Sequence, residues 1–201
     1  MGEDFRSVFP LLWLAEHMYD PQTTAERPLT LAKEAIIKEA KRIGENCLYT
    51  SKGHFAAAQF WSKFHLWLGI PTVILASVAG ASALSQFSRS IVIAGVISIV
   101  VVVLSATTTF LNPRERANIH LSAGNNYDSL LSKARIFWTI DCWQNDTDEI
   151  LTQKLRTLSE ERDRLNRECP QVPRFAYLTA RKGIREGEAN HEVDQTKTSR
   201  A

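Results

Sequence analysis

Two long apolar runs follow one another in the middle of the chain, at residues 64–88 and 90–113. Neither run contains Asp, Glu, Lys or Arg, and Arg89 is the single charged residue between them. A helix needs about 20 apolar residues to cross the hydrocarbon core of a bilayer, and each run exceeds that length. The pattern therefore predicts a hairpin of transmembrane helices at 64–88 and 90–111. The alternative is two buried helices of a soluble bundle, but such helices are shorter and carry a polar stripe.

Outside the apolar runs, hydrophobic residues recur every three or four positions, which is the period of an amphipathic helix. Three such stripes flank the hairpin, one before it and two after it. The first stripe consists of Leu29, Ala32, Ile36, Ala40, Ile43 and Cys47, the second of Ala123, Tyr127, Leu130, Ala134 and Phe137, and the third of Leu151, Leu155, Leu158, Leu165 and Cys169. We expect the first two stripes to pack on each other. The third has heptad-like intervals, so it packs either on those two helices, which we favour, or against another copy of the chain.

Residues that typically begin helices set boundaries between these elements. Asn112 and Pro113 have the preferences of an N-cap and a first helical residue, so the second span should break or bend there before a new helix. The third flanking helix is expected to start near Asp146, with Glu149 at its capping-box position. A last short helix is expected over Arg174–Arg185.

These elements together predict an all-α membrane protein, with a two-helix transmembrane hairpin and a cytoplasmic helical bundle built from the flanking helices. Gly44 and Gly53 weaken the continuity between the first flanking helix and the first span. The predicted organisation is an N-terminal segment at 1–28, a pre-membrane amphipathic helix at 29–63, transmembrane helices at 64–88 and 90–111, cytoplasmic helices at 112–186 and a polar disordered tail at 187–201.

Charge near the ends of the spans predicts the orientation of the hairpin. Of the 24 Lys and Arg residues, Lys52, Lys63, Arg114 and Arg116 lie near the membrane on the side of the termini, whereas the connection carries Arg89 alone. Positive charge favours the cytoplasmic side, so we expect both termini in the cytoplasm. The 3 cysteines are widely spaced and have neither disulfide-framework nor metal-ligand spacing, which is typical of a reducing compartment.

Small and hydroxyl-bearing residues recur along both spans at intervals that allow close helix packing. The predicted packing or pore face consists of Ala76, Gly80, Ala83, Ala94, Ser98, Ser105 and Thr109. The hydroxyl groups either line a pore in an oligomer or bond to carbonyls of their own helix. No ionisable residue lies near the centre of either span, which disfavours an ion-coupled transporter or a proton relay.

The chain lacks the patterns of the common catalytic and cofactor sites. It has no glycine-rich phosphate loop, nucleophile elbow, paired metal ligands or dinucleotide fingerprint, so we expect no enzyme, no cofactor, no metal and no direct binding of nucleic acid. The basic strip formed by Lys52, Lys63, Arg114 and Arg116 is explained most simply by anionic lipid headgroups. Binding of a nucleotide signal at this strip is the alternative.

Four parts of the sequence resemble one known family in their order and spacing. The first flanking helix passes through Lys52, Gly53 and His54 towards the span, which contains LGIPTVILASVAGAS at 68–82. The helix after the second span carries NIHLSAGNNYDSLLSKAR at 118–135. The C-terminal pattern consists of Pro173, Tyr177, Ala180, Ile184, Gly187, Val193 and Asp194. From about Leu29 to Asp194 the chain resembles the SLATT family of bacterial two-transmembrane effector domains.

The resemblance implies a membrane effector of a bacterial antiviral or conflict system, located in the inner membrane as a multi-pass protein. Such effectors are thought to oligomerise and to form pores or otherwise breach the membrane. Their partner genes often encode nucleotide-second-messenger synthases, nucleotide-sensing domains or reverse transcriptases. A defence-system protein or a nucleotide signal is therefore an expected partner, beside the lipid bilayer and further copies of the chain. The alternative is a membrane-anchored scaffold that recruits a cytoplasmic partner and uses the hairpin only as an anchor.

Overall fold

The computed structural model of the protein describes residues 31–84 and 90–190, and every regular element within these two ranges is helical. The predicted N-terminal segment at 1–28, the connection that contains Arg89 and most of the predicted tail lie outside the described residues. The elements, in chain order, are α1 (Leu31–Leu84), α2 (Ser90–Leu111), α3 (Pro113–Thr139), a 3₁₀ turn (Asp141–Trp143), α4 (Asp148–Glu168) and α5 (Arg174–Arg185).

Helix α1 joins the predicted pre-membrane helix and the first span in one unbroken element of 54 residues. At 1.5 Å per residue it is about 80 Å long, so less than half of it is needed to cross a bilayer. The two glycines that were expected to weaken it lie at close contacts with other parts of the chain. A Cβ atom added to Gly44 would lie 2.5 Å from the ring of Trp138, and one added to Gly53 would lie 2.7 Å from Val172. Packing therefore stabilises the helix at both positions.

Helices α2 and α3 meet at a single bent residue, as the sequence predicts. Asn112 has φ 41° and ψ 59°, a left-handed conformation that Asn adopts more readily than most residues. Its side chain does not cap the new helix but donates from Nδ2 to Oε2 of Glu115, at 2.6 Å. Backbone hydrogen bonds continue across the bend, from Asn112 N to the Thr108 carbonyl (3.0 Å) and from Arg116 N to the Asn112 carbonyl (3.2 Å).

The third flanking helix starts near Asp146, as predicted, but its N-cap is Thr147, one residue later than the predicted capping box requires. Helix α4 begins at Asp148, because the hydroxyl of Thr147 accepts a hydrogen bond from the backbone N–H of Ile150 and takes the N-cap position. Glu149 is therefore not at a capping-box position. Asp146 instead accepts a hydrogen bond of 2.8 Å from Nζ of Lys154.

The helices outside the apolar hairpin form one bundle, which we call the extramembrane bundle (residues 31–63 and 112–190). Helix α3 runs back along α1, and α4 and α5 also pack on α1. All three predicted stripes contribute to the core. It consists of Ile36, Ala40, Ile43, Cys47, Tyr127, Leu130, Ala134, Phe137, Cys142, Leu151, Leu158 and Leu165. The leucine face of α4 is thus buried within the chain, as favoured above, and is not a free seam for another copy.

The apolar hairpin has the exposure expected of membrane spans. Two helices are long and apolar enough to cross a membrane, and only 11% and 6% of their most apolar windows are buried. Large side chains such as Trp67, Val102 and Phe110 are 74%, 65% and 87% exposed. A core helix of a soluble protein would be mostly buried, so the soluble-bundle alternative does not fit. The fold is that of an all-α protein with two transmembrane helices.

Candidate functional site

A cleft of about 680 Å³ opens on the side of the extramembrane bundle, where α1, α3, α4 and α5 meet. We call it the arginine cleft, after Arg162, Arg181 and Arg185 in its lining. Tyr49, Tyr177 and Asn166 also line it, and Glu45 is its one acidic residue. The sequence analysis did not predict this site, because its residues come from four helices that are distant in sequence.

Arg162 lies within the leucine stripe of α4, between the buried Leu158 and Leu165. Its side chain is 24% exposed. The guanidinium Nη2 donates to Oδ1 of Asp163 at 3.0 Å and to the hydroxyl of Ser159 at 3.3 Å. Both partners belong to the same helix turn, so this arginine makes no ion pair across the bundle within the part of the chain that the structure describes.

Helix α5 presents three cleft residues on one face because they are four residues apart: Tyr177, Arg181 and Arg185. Its opposite face carries small buried residues, Ala176 and Ala180 among them, which let it pack closely. Two large apolar residues of this helix, Phe175 and Leu178, are 44% and 51% exposed. No carboxylate among residues 31–84 and 90–190 pairs with Arg181 or Arg185.

The floor of the cleft is polar and hydrogen-bonded. The hydroxyl of Tyr127 donates to Oδ1 of Asn166 at 2.8 Å, which leaves the amide hydrogens of Asn166 available to another acceptor. Burial raises the pKa of Tyr127 to about 12, so this phenol stays neutral and remains a donor. Burial also raises the pKa of the neighbouring Cys47 thiol to about 11, against a smaller opposing effect of Arg162. A neutral thiol is a poor nucleophile, so the arrangement suits binding.

Behind the cleft lies a buried pair of histidines, His54 from α1 and His120 from α3. Their Nδ1 atoms are 2.9 Å apart, so one ring donates and the other accepts. The ring of His54 stacks on Tyr127 at 5.6 Å between centroids. Burial and, secondarily, His120 lower the pKa of His54 to about 4, while burial and Arg116 lower that of His120. Both rings are therefore neutral at pH 7, and within the described ranges no group of three ligands could hold a metal.

The residues of the predicted packing or pore face differ in burial. Ala94 is buried in the hairpin, whereas Ala76, Gly80, Ala83, Ser98, Ser105 and Thr109 are exposed. The first three of these six share one face of α1 and the last three share one face of α2, by helical spacing. A Cβ atom added to Gly80 would meet nothing within 4 Å. Small residues therefore line outer surfaces of the hairpin.

Two of the three hydroxyl groups on the predicted face bond to carbonyls of their own helix, which is one of the two alternatives that the sequence allowed. Ser98 donates to the carbonyl of Ala94 at 2.7 Å, and Thr109 donates to that of Ser105 at 3.0 Å. Such bonds satisfy the hydroxyl donors inside the membrane and leave the oxygen lone pairs outward.

The predicted basic strip is spread along the helix axis. Lys52 and Lys63 are eleven positions apart on α1, which corresponds to about 16 Å. Arg116 lies near the base of the hairpin, where its Nε donates to the carbonyl of Leu111 at 2.8 Å. Its guanidinium lies 5.1 Å from the centre of the Trp61 ring. Arg114 is exposed beside Asn112.

The fold defines the class of the protein as helical, with two transmembrane helices and a compact extramembrane bundle. The chain belongs to the SLATT group, specifically to the SMODS and SLOG-associating 2TM effector domain family 4, whose family model matches residues 34–196. This match confirms the resemblance found in the sequence. No curated protein and no solved structure matches the chain. Membership makes the protein a two-transmembrane effector of conflict or defence systems.

Proposed function

We propose that the protein is an oligomeric effector that breaches the bacterial inner membrane when its extramembrane bundle receives a cytoplasmic signal. The proposed role is antiviral and non-enzymatic. The observation that carries it is the outward position of the small residues on both spans. Two helices cannot enclose an aqueous path, so several copies must assemble. Small residues on outer faces allow helices of neighbouring copies to approach closely.

The proposed orientation places both termini and the bundle in the cytoplasm. Lys63, Arg114 and Arg116 flank the hairpin at the end where the bundle begins, and cytoplasmic flanks of spans are rich in Lys and Arg. The proposed partners are the lipid bilayer, further copies of the chain and a defence-system protein or nucleotide signal. Anionic headgroups are the proposed ligands of these three side chains.

One observation favours a second function, that of a membrane-anchored scaffold. The span hydroxyls donate to their own helices, as at Ser98 and Thr109, which reduces the polar lining that a pore would have. In that case the hairpin would only hold the extramembrane bundle at the membrane. Replacing residues 64–111 with an unrelated transmembrane hairpin separates the two functions: the effector should lose its activity in cells, and a scaffold should keep it.

The direct experiment measures leakage. Purified protein, at concentrations high enough to favour assembly without the signal, should release a self-quenching dye from liposomes. The release should rise more steeply than linearly with protein concentration, because assembly is required. Gly80→Ile places a large side chain on the outer face and should reduce release several-fold, whereas Val78→Ile, on an exposed position of the same helix, should not. Intact liposomes at every protein-to-lipid ratio, with only monomers detected by crosslinking and with the defence-system partner or signal present, would contradict the proposal.

A further inference from the structure

The arginine cleft carries an excess of positive charge that the protein neutralises only in part, by the ion pair of Arg162 with Asp163. Three arginines face one glutamate there, and Arg181 and Arg185 pair with no carboxylate among the described residues. Exposed arginines are often simply solvated, so these two alone would indicate little. Arg162 differs, because it interrupts a buried leucine stripe and gives up apolar packing at that position. Its Nε and Nη2 donate to Asp163 of its own helix, so Arg162 does not hold a second helix in place. We infer that an anion in the cleft is the partner that accounts for an arginine at this position.

The other side chains that line the cleft indicate which kind of anion it would bind. A guanidinium fork matches two oxygens of a phosphate, and several arginines in one cleft are typical of phosphate recognition. The rings of Tyr49 and Tyr177 lie 6.4 Å apart and provide flat surfaces at the same cleft. The free amide hydrogens of Asn166 add directional donors. A volume of about 680 Å³ lies within the range of small-molecule sites and suits a phosphate joined to a planar ring.

The position of the cleft separates a soluble ligand from a lipid headgroup, whose phosphate has the same chemistry. Tyr49 lies fifteen residues before Phe64, where the apolar run begins, and this corresponds to about 22 Å along α1. The headgroup layer extends only about 5 to 8 Å beyond the hydrocarbon core. A lipid phosphate at the membrane surface therefore does not reach the cleft.

We propose that the arginine cleft is a binding site for a soluble nucleotide, with its phosphates on Arg162, Arg181 and Arg185 and its base against Tyr177. As the cytoplasmic signal of this effector, the nucleotide would act through the bundle, and that part rests on the function proposed above. The hydrogen bond of Tyr127 to Asn166 and the stack of Tyr127 on His54 join the cleft to α1 and α3, which lead into the two spans.

Binding is tested on the full chain in detergent by calorimetry. The probes are nucleoside mono-, di- and triphosphates, cyclic dinucleotides, inorganic triphosphate, adenosine and a hexaglutamate peptide. At least one nucleotide should bind with a Kd below 1 mM, and more tightly than triphosphate, adenosine or the peptide. If no nucleotide binds, or if the peptide or triphosphate binds equally well, the nucleotide site is refuted.

Variants on α5 give a matched comparison. Arg181→Glu with Arg185→Glu should weaken nucleotide binding by at least about tenfold, because two phosphate contacts are lost and reversed. Arg174→Glu reverses one charge on the same helix outside the cleft lining, so it is compared with each single cleft reversal, and it should leave the Kd within about twofold. Tyr177→Phe keeps the stacking surface and should bind normally, whereas Tyr177→Ala should not. If the cleft and control reversals change the Kd equally, the nucleotide responds only to the overall charge of the protein, and the proposed site is refuted.

Dye release with and without the bound nucleotide distinguishes the two proposals. Release that increases with the nucleotide supports both. If the nucleotide binds in the cleft but liposomes remain intact, the effector function fails and the site stands. If liposomes leak and no nucleotide binds, the site fails and the effector function stands.

Discussion

The paired histidines behind the arginine cleft are buried between α1 and α3. His54 and His120 are 1% and 7% exposed, and their mutual hydrogen bond satisfies one nitrogen of each ring. The neutral rings suit this buried site, because a protonated ring would lose hydration and would face either another imidazole or Arg116. The contact between His54 and His120 therefore stabilises the packing of α1 on α3 most when both rings are uncharged.

This arrangement predicts a loss of stability in mild acid. In the unfolded chain His54 binds a proton near pH 6.5, whereas in the folded protein its pKa is about 4. The contribution of neutral His54 to the free energy of unfolding is complete above pH 6.5. It is lost as the pH falls towards 4, because the unfolded state then binds more protons than the folded state. We expect the free energy of unfolding to fall by about 1 to 2 kcal/mol between pH 7 and pH 5. Denaturant unfolding in detergent measures it.

The control for this prediction is His54→Gln, which keeps a polar side chain but cannot titrate. The variant should be less stable at pH 7, and its unfolding free energy should change less between pH 7 and pH 5. Parallel pH profiles for the two proteins would show that other groups cause the acid sensitivity.

The sequence contained a sign of this pair that periodicity did not use. His54 lies ten residues before the first apolar run, and His120 lies nine residues after the second span ends at Leu111. In an antiparallel hairpin, positions at similar distances from the membrane lie at similar heights. Height alone does not give the angular position on each helix, so the sequence could suggest the contact and could not establish it. The arginine cleft could not be predicted from the sequence for the same reason, because its lining depends on which faces of four helices meet.

At the scale of elements, glycine controls how closely α1 and α3 approach. Gly44 on α1 faces the ring of Trp138, and Gly124 on α3 faces the ring of Phe55. Each glycine makes room for an aromatic side chain of the other helix. From the sequence, Gly44 indicated only a weakened helix, because intrinsic propensity does not include the partner surface.

Gly124→Ala should destabilise the extramembrane bundle. The new Cβ would lie 2.7 Å from Cε1 of Phe55, and overpacking of this kind costs about 1 to 3 kcal/mol. The gain in helix propensity, about 1 kcal/mol, offsets part of it. We expect a net loss of about 1 kcal/mol by denaturant unfolding. Asn125→Ala, at an exposed neighbouring position, should be neutral or slightly stabilising.

A second substitution tests the cause. Phe55→Leu removes the ring that Gly124 faces, so Gly124→Ala should be better tolerated in that background than in the original chain. If the alanine costs the same free energy in both backgrounds, contact with Phe55 is not the reason for the glycine.

The boundaries of helices show where sequence patterns succeed and where they fail. The start of α3 at Pro113 was predicted because Asn and Pro have strong positional preferences there. The N-cap of α4 was misplaced by one residue because Asp146, Thr147 and Asp148 can all cap a helix. In the structure Asp146 forms an ion pair with Lys154 of α4, while Thr147 takes the N-cap position.

At the scale of the whole molecule, the fold was largely predictable and the site was not. Apolar length identified the hairpin, and three stripes identified the core helices, since burial repeats along the sequence with the helical period. The arginine cleft has no such repeat. Its residues, from Glu45 to Arg185, are brought together only when α4 and α5 fold back on α1.

The orientation of the whole chain in the membrane is open to a direct chemical test. A maleimide that does not cross membranes reacts with the thiolate form of cysteine. Cys47 and Cys142 are buried, Cys169 is half-buried, and burial raises the pKa of all three thiols. The unmodified chain should therefore label slowly on either side, and this low background makes introduced cysteines informative.

Glu160→Cys adds a thiol at an exposed position of α4, and Ser88→Cys adds one in the connection between the spans. If the bundle is cytoplasmic, Glu160→Cys should react in inverted vesicles and Ser88→Cys in spheroplasts. The accessible side should label at least about ten times faster than the other, because the reagent must otherwise cross the hydrocarbon core. The reverse pattern would place the arginine cleft outside the cell, where a cytoplasmic nucleotide would not reach it. The orientation of the hairpin thus decides whether the cleft can receive such a signal.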